Sequence, residues 1–275
     1  MKHRTSIEFT PELWRQLCNT VPDRKKSNFI TEAIKDKLAR ESTKAVILCG
    51  GEGTRMRPLT LSTPKPMLPL GYRPMIEHTM TYFKNQGIYN FVLAIGYLGE
   101  HIIKYFNDGS AHGMNVEYST EHKALGTAGA VKNAEKFLHS PFLVVNGDVI
   151  FRTLNVKEAL QFHKESNALV TIVTNKVNDA KRFGLVESDS TGKVTGFVEK
   201  PKYATSGWIN AGLYIIEPDV LEMIKSGDKV SMEAEIFPKL VEQGKLFDYK
   251  YNGYWMDIGM PEDYEKAQRD FFTKK

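Results

Sequence analysis

Cysteine is nearly missing from this chain: 275 residues hold two, Cys18 and Cys49, far apart and each set in an apolar pattern. That scarcity excludes a disulfide framework and a cysteine-based zinc site. Long hydrophobic runs are missing too, none approaching the ~20 residues that a membrane span requires. Met1 to Thr10 has no apolar core of the kind a secretory signal carries, so a cytoplasmic protein without a membrane partner is expected. A charge excess is absent from most of the chain. Residues 45–275 balance 27 Lys and Arg against 27 Asp and Glu, and the formal +4 lies wholly in the first 44 residues, which hold 10 basic and 6 acidic side chains. Such a localised excess marks a segment with its own task. With 41% hydrophobic and 25% charged residues, the remainder is of ordinary globular composition, enough for one large domain and a small appendage.

In the amino-terminal segment, RTSIEF alternates, Ile7 and Phe9 on one face and Arg4, Ser6 and Glu8 on the other, as in a strand with one buried face. Thr10-Pro11-Glu12 is a helix start, followed by a stripe of Leu13, Trp14, Leu17 and Cys18. Ser27 is positioned to cap a second helix with a stripe of Phe29, Ile30, Ala33, Ile34 and Leu38. Strand, helix, helix in about 40 residues cannot bury a core alone. The order and spacing over 1–43, with KKSNFITEAIKDKLAR as the second helix, resemble the ribbon-helix-helix family. The resemblance implies a homo-oligomer, a dimer or higher, built through these residues. It also implies that outward ribbon side chains (Lys2, Arg4, Ser6, Glu8) could read DNA. Acidic Glu8 and the modest charge weigh equally for a module that only dimerises.

From residue 44 to 275, apolar strands alternate with amphipathic helices: AVILC, a helix from Met75 to Gln86, NFVLAIG, a helix around His101 to Phe106, NVEYS. A helix from Thr127 to Phe137, FLVVNGD, a helix from Val156 to Lys164 and ALVTIVT follow. This is the pattern of a Rossmann-like α/β fold, a doubly wound and mostly parallel sheet, with ligands at the carboxyl ends of its strands. After the first strand comes GGEGTRMRPLTLSTPKPMLPLG. Its glycines allow close backbone approach and aim N–H groups at a guest, of which a phosphate is the obvious one. Neither phosphate fingerprint fits: Thr54 and Arg55 stand where a P-loop has Lys and Ser or Thr, and the third glycine of the dinucleotide loop is missing. Lys65, fixed between Pro64 and Pro66, has its side chain presented by a restricted backbone. Asp148 closes an apolar run, where a carboxylate is costly unless it caps a turn or binds a metal.

GGEGTRMRPLT, TPKPMLPLG, LGTAGA, VNGDV, FVEKP, NAGLY and WMDIGMPEDY occur in the same order in the sugar-1-phosphate nucleotidylyltransferases, and the chain resembles that family over essentially 44–275. The resemblance implies a nucleotidyltransferase fold and the condensation of an NTP with a sugar 1-phosphate, releasing pyrophosphate. By the same likeness Gly50, Gly51, Gly53 and Thr54 bind the triphosphate, Arg55 meets the β and γ phosphates, and Lys65 touches the α-phosphate. Arg57 is a bracing residue by comparison. Asp148 and Asp257 would hold Mg²⁺. Glu199 and Lys200, adjacent at a strand end and therefore expected to diverge, would meet sugar hydroxyls and the sugar phosphate, with Asn210 and the backbone at Gly184 completing the sugar pocket.

Glu121 lies five residues before Gly126, at the spacing where the family meets the base edge, with the glycine admitting the base to the backbone. A carboxylate only accepts hydrogen bonds. Guanine offers adjacent N1–H and N2–H₂ donors, whereas uracil and thymine flank one N–H with two carbonyls. GTP is therefore expected, with UTP or dTTP and glucose 1-phosphate as the alternative; a mannose-1-phosphate-like acceptor follows from the family. A different class of reading makes the chain a nucleotide-sugar-sensing DNA-binding regulator. Retention of Arg55, Lys65, Asp148, Lys200 and Asp257 favours the enzyme.

Overall fold

The computed structural model describes residues 7–41, 43–203 and 206–273, divided into two compact units, Met1–Ser42 and Thr43–Lys275. In the first unit Thr10 caps α1 (Pro11–Thr20), its Oγ1 accepting from Leu13 N at 3.3 Å, with proline in the first turn where its missing N–H costs nothing. A 3₁₀ turn over Asp23–Lys25 runs directly into α2 (Lys26–Glu41). Ser27 thus lies inside the helix and caps nothing, because the turn that begins after Pro22 supplies the start. Residues 7–9 form no strand, which needs a ladder partner to exist, and residues 4–6 of the expected strand, like Lys2, lie outside the described residues. Leu17 and Val21 are buried, while Leu13, Trp14, Phe29 and Ile34 remain 44–51% exposed.

The second unit opens with β1 (Lys44–Cys49), the glycine loop and a small hairpin of β2 (Pro69–Leu70) and β3 (Arg73–Pro74). There follow α3 (Met75–Lys84), β4 (Asn90–Ile95), α4 (Gly99–Phe106), β5 (Asn115–Thr120), α5 (Gly126–Asn133), β6 (Phe142–Asn146), β7 (Val149–Phe151), α6 (Val156–Glu165) and β8 (Val170–Val177). The chain then makes a hairpin of β9 (Gly184–Ser188) and β10 (Val194–Glu199), the long β11 (Gly207–Ile216), α7 (Phe237–Glu242), β12 (Leu246–Tyr251), β13 (Trp255–Asp257) and α8 (Pro261–Thr273).

In the nine-stranded sheet β6, β1, β4 and β5 lie side by side and parallel. Antiparallel β11 extends it beside β6, pairing β8 along its length and β9 at Trp208 and Ile209. The inner strands β1, β4 and β6 are apolar and buried along most of their length because both faces are covered, whereas the edge strand β5 (NVEYST) is polar and partly exposed. On β1, Ala45, Ile47 and Cys49 enter one core with Phe83, Phe91 and Phe106, and Val46 enters the other with Tyr214 and Phe237. The doubly wound reading of the sequence holds for this sheet, which is mixed rather than mostly parallel: among the described residues four of its pairings are parallel and four antiparallel, because the long β11 and the β9–β10 hairpin run against the parallel core.

Two departures from a plain doubly wound sheet shape the site. The register of β11 shifts between Asn210 and Leu213, a bulge that re-aims the side chains around it. A separate ribbon pairs Asp257 with Val149 and Met256 with Ile150, and Ile258 N donates to Asp148 O at 2.9 Å, so residues 106 to 110 positions apart in sequence are stitched together.

Candidate active site

Three adjoining cavities, of about 570, 370 and 370 Å³, run along the carboxyl ends of β1, β4 and β6 toward β11. This is where a doubly wound sheet leaves room, since the loops there turn to opposite faces. The first cavity is lined by Gly50, Gly51, Glu121 and Gly126, the second by Gly53, Thr54, Arg55, Lys65 and Asp148. The third contains Gly184, Glu199, Lys200, Asn210 and Asp257. All fourteen candidate residues of the sequence reading are accounted for by these linings. Arg55 and Asp148 belong to both the second and the third, and Thr127 to all three.

At the first cavity, Glu121 Oε2 accepts from Leu125 N at 3.3 Å, and a Cβ on Gly50 would stand 2.2 Å from Oε1. Glycine at 50 is what lets a carboxylate sit flush against the loop. Burial pushes the Glu121 carboxyl above its ordinary value. Gly126 begins α5 at φ +71°, and a Cβ there would meet Val230 O at 2.5 Å, so the protein's own backbone demands glycine at this point. In the second cavity Gly53 takes a left-handed φ of +61° to start the turn Thr54–Met56. Arg57 braces the loop through Glu52 at 3.0 Å, whereas no carboxylate lies within ion-pair distance of Arg55 among the described residues.

Lys65 is 8% exposed and ion-paired with Asp148 Oδ2. A lysine this deep is stable only with its charge answered. The β7–β13 ribbon brings Asp257 alongside, and burial, followed by the charge of Asp148, raises the Asp257 carboxyl well above the usual range. Two converging carboxylates, one of them disfavoured as an anion, form a donor set that suits a small, hard divalent cation. Among the described residues no group of three or more His, Cys, Asp or Glu side chains could enclose an ion, so the other ligands would be water or phosphate oxygens.

In the third cavity the structure corrects one expectation. Glu199 and Lys200 do not diverge: Lys200 Nζ lies 3.3 Å from Glu199 Oε1. The reason is the backbone, since Lys200 has a left-handed φ of +49° and its N–H donates to Phe183 O at 3.1 Å, which ends the strand's alternation. Asn210 is fixed at the bulge, donating from Nδ2 to Tyr214 Oη at 2.8 Å and accepting Gly212 N–H at 2.9 Å. Gly184 packs against Phe197 and Glu199.

Three lining residues were missed. Arg182 is bidentate to Asp263 at 2.6 and 3.3 Å and lies 3.6 Å from Asp257. Glu233 and Thr127 hydrogen-bond each other at 2.7 Å across 106 positions. Arg182 lies two positions before Gly184, which the sequence reading assigned to the sugar pocket, so proximity was its available signal; nothing local distinguishes Glu233 within SMEAEIF.

A family profile described as nucleotidyl transferase matches residues 44–274. The chain is 41% identical over 227 residues to a mannose-1-phosphate guanyltransferase of Saccharomyces cerevisiae, covering 80% of this chain and 62% of that protein. It is 39% identical to the mannose-1-phosphate guanylyltransferase of Mycobacterium tuberculosis, covering 85% and 66%. The chain thus spans somewhat under two thirds of these relatives. Among solved structures, HddC from Yersinia pseudotuberculosis is 33% identical with a TM-score of 0.73, covering 83% of this chain and 99% of that one. A second HddC structure, complexed with GMP-PN, gives a TM-score of 0.72.

Proposed function

Because the chain belongs to the nucleotidyl transferase family, we propose that it transfers a guanylyl group from GTP to a sugar 1-phosphate of the mannose type, forming a nucleotide sugar and releasing pyrophosphate. The observation that carries this reading is the order of the three cavities: one bounded by the Glu121 carboxylate, a cation-lined middle, and a polar cavity with Glu199 and Asn210. The names of the yeast and mycobacterial relatives and the guanine nucleotide analogue bound to HddC support the choice of base and sugar.

In this reading Glu121 accepts from guanine N1–H and N2–H₂, and the loop at Gly50, Gly51, Gly53 and Thr54 lies under the triphosphate. Lys65 meets the α-phosphate, and Arg55 receives the charge that develops on pyrophosphate. Lys200 takes the sugar phosphate, while Glu199, Asn210 and the Gly184 backbone hold the hydroxyls. Two anions must be brought within bonding distance in line, so positioning and charge neutralisation are the whole task. No general base is required, because the attacking phosphate oxygen is already ionised. Asp148 and Asp257 would hold Mg²⁺, which when bound supplies positive charge to both reacting phosphates.

Pyrophosphate release measured across the NTPs and a panel of sugar 1-phosphates, with and without Mg²⁺, tests this. The expected result is metal-dependent turnover, fastest with GTP. Higher kcat/KM with UTP or dTTP would overturn the base assignment. No turnover with any pair would favour a sensor of nucleotide sugars.

For residues 1–43 we propose pairing with a second copy in the ribbon-helix-helix manner. The exposed Leu13, Trp14, Phe29 and Ile34 support it, since several large apolar side chains left in water are unfavourable. A salt-sensitive shift with duplex DNA would add a regulatory role to the pairing.

A further inference from the structure

We propose that Glu233 is a positioning residue for the sugar substrate, fixing through Tyr214 the direction in which the Asn210 amide faces the third cavity. This rests on the reading that the cavity takes a sugar 1-phosphate. Glu233 lies near the end of the segment between β11 and α7, in the helical turn Met232–Ile236 that leads into α7, and lines that cavity. Its Oε2 accepts from Thr127 Oγ1 at 2.7 Å and Ser231 Oγ at 2.8 Å, and its Oε1 from Tyr214 Oη at 3.2 Å.

The direction of each proton follows from chemistry. A carboxylate has no proton to give, so the Tyr214 hydroxyl must donate to Glu233. Its oxygen is then left as an acceptor, and the group facing it at 2.8 Å is Asn210, which must present Nδ2. The other end of the amide agrees: Gly212 N–H at 2.9 Å can only donate, so Oδ1 must face it. One N–H and one lone pair of Asn210 remain, at fixed places on the cavity wall, as a donor and an acceptor for sugar hydroxyls. Tyr214 is fully buried, so no solvent competes for its hydroxyl.

The same carboxylate reaches the nucleotide side. Thr127 donates to Glu233 and accepts Met232 N–H at 2.8 Å, and it lines all three cavities beside Gly126. Glu233 is therefore a joint between the helix that follows the base site and the bulge that carries Asn210.

Glu233→Gln replaces a pure acceptor by a group that must also donate. With its oxygen retained by Thr127 and Ser231, its amide faces Tyr214, whose proton is then forced toward Asn210, against the Gly212 N–H. We expect the KM for mannose 1-phosphate to rise about tenfold or more, with the KM for GTP and kcat within about threefold of the parent. Adding Tyr214→Phe removes the conflicting hydroxyl, so the double variant should be no worse than Glu233→Gln alone, a departure from additivity. If Glu233→Gln does not fold, Tyr214→Phe alone should give the same KM split. A KM for mannose 1-phosphate within about twofold of the parent, or parallel rises in both KM values, overturns the proposal and leaves the proposed function standing. A parent enzyme that turns over no sugar 1-phosphate overturns both.

Discussion

In the proposed function Glu121 concentrates the choice of base in one side chain, and its burial would make that choice sensitive to pH. Its carboxyl is shifted upward, and only the ionised form is a pure acceptor for guanine. As pH falls, the preference for GTP over UTP, taken as a ratio of kcat/KM so that titrations common to both substrates cancel, should decline from a pH above the ordinary 4.5 of a glutamic acid. Glu121→Gln should flatten that profile and reduce the preference by about 100-fold, the order of effect when a buried polar partner is mismatched. Lys65 answers a different question. Its charge is held by Asp148, so Lys65→Ala should reduce kcat by about two orders of magnitude or more while leaving Asp148 as an uncompensated carboxylate. A fluorescence titration of Mg²⁺ with the variant, expected to show unchanged or tighter metal binding, separates the two consequences. Individual side chains such as these were the most legible part of the sequence, because Lys65 between two prolines and Asp148 at the end of FLVVN announce their constraints locally. Glu233 and Arg182 did not, since their partners Thr127 and Asp263 lie 106 and 81 positions away.

At the level of elements, long periodic segments were readable and short ones were not. β1, β4 and β6 have unbroken apolar runs, whereas the three-residue strands β7 and β13 are too short to show any period, yet they bring Asp148 and Asp257 together. The left-handed turn at Lys200 was equally invisible, since nothing about lysine suggests φ above zero. The ribbon's importance can be measured. Ile258→Ala empties a fully buried position next to it and should destabilise the protein by about 3 kcal/mol in denaturant unfolding, with a higher Mg²⁺ requirement for turnover. Gly126→Ala should also be destabilising, by about 2 kcal/mol or more, because the added methyl faces Val230 O at 2.5 Å on a backbone with φ +71°. Since Gly126 is the first residue of α5, the same change should also weaken the GTP binding proposed here.

For the whole molecule, the uneven charge and the two compact units point to separable tasks. Replacing Trp14 and Phe29 by serine should lower the oligomeric state seen by light scattering and leave kcat/KM within about twofold. Unaltered mass would show that the apolar stripe of the first unit is not what joins copies.

The final helix has a consequence of its own. Asp263 of α8 draws the Arg182 guanidinium to 2.6 Å and so leaves it 3.6 Å from Asp257, while Gln268 and Asp270 tie the same helix to Pro69 and Tyr254. Were α8 to fray or be clipped, the freed arginine would collapse onto Asp257 and neutralise it. A protease nick within α8 would then silence the proposed activity from a distance, with the central sheet intact.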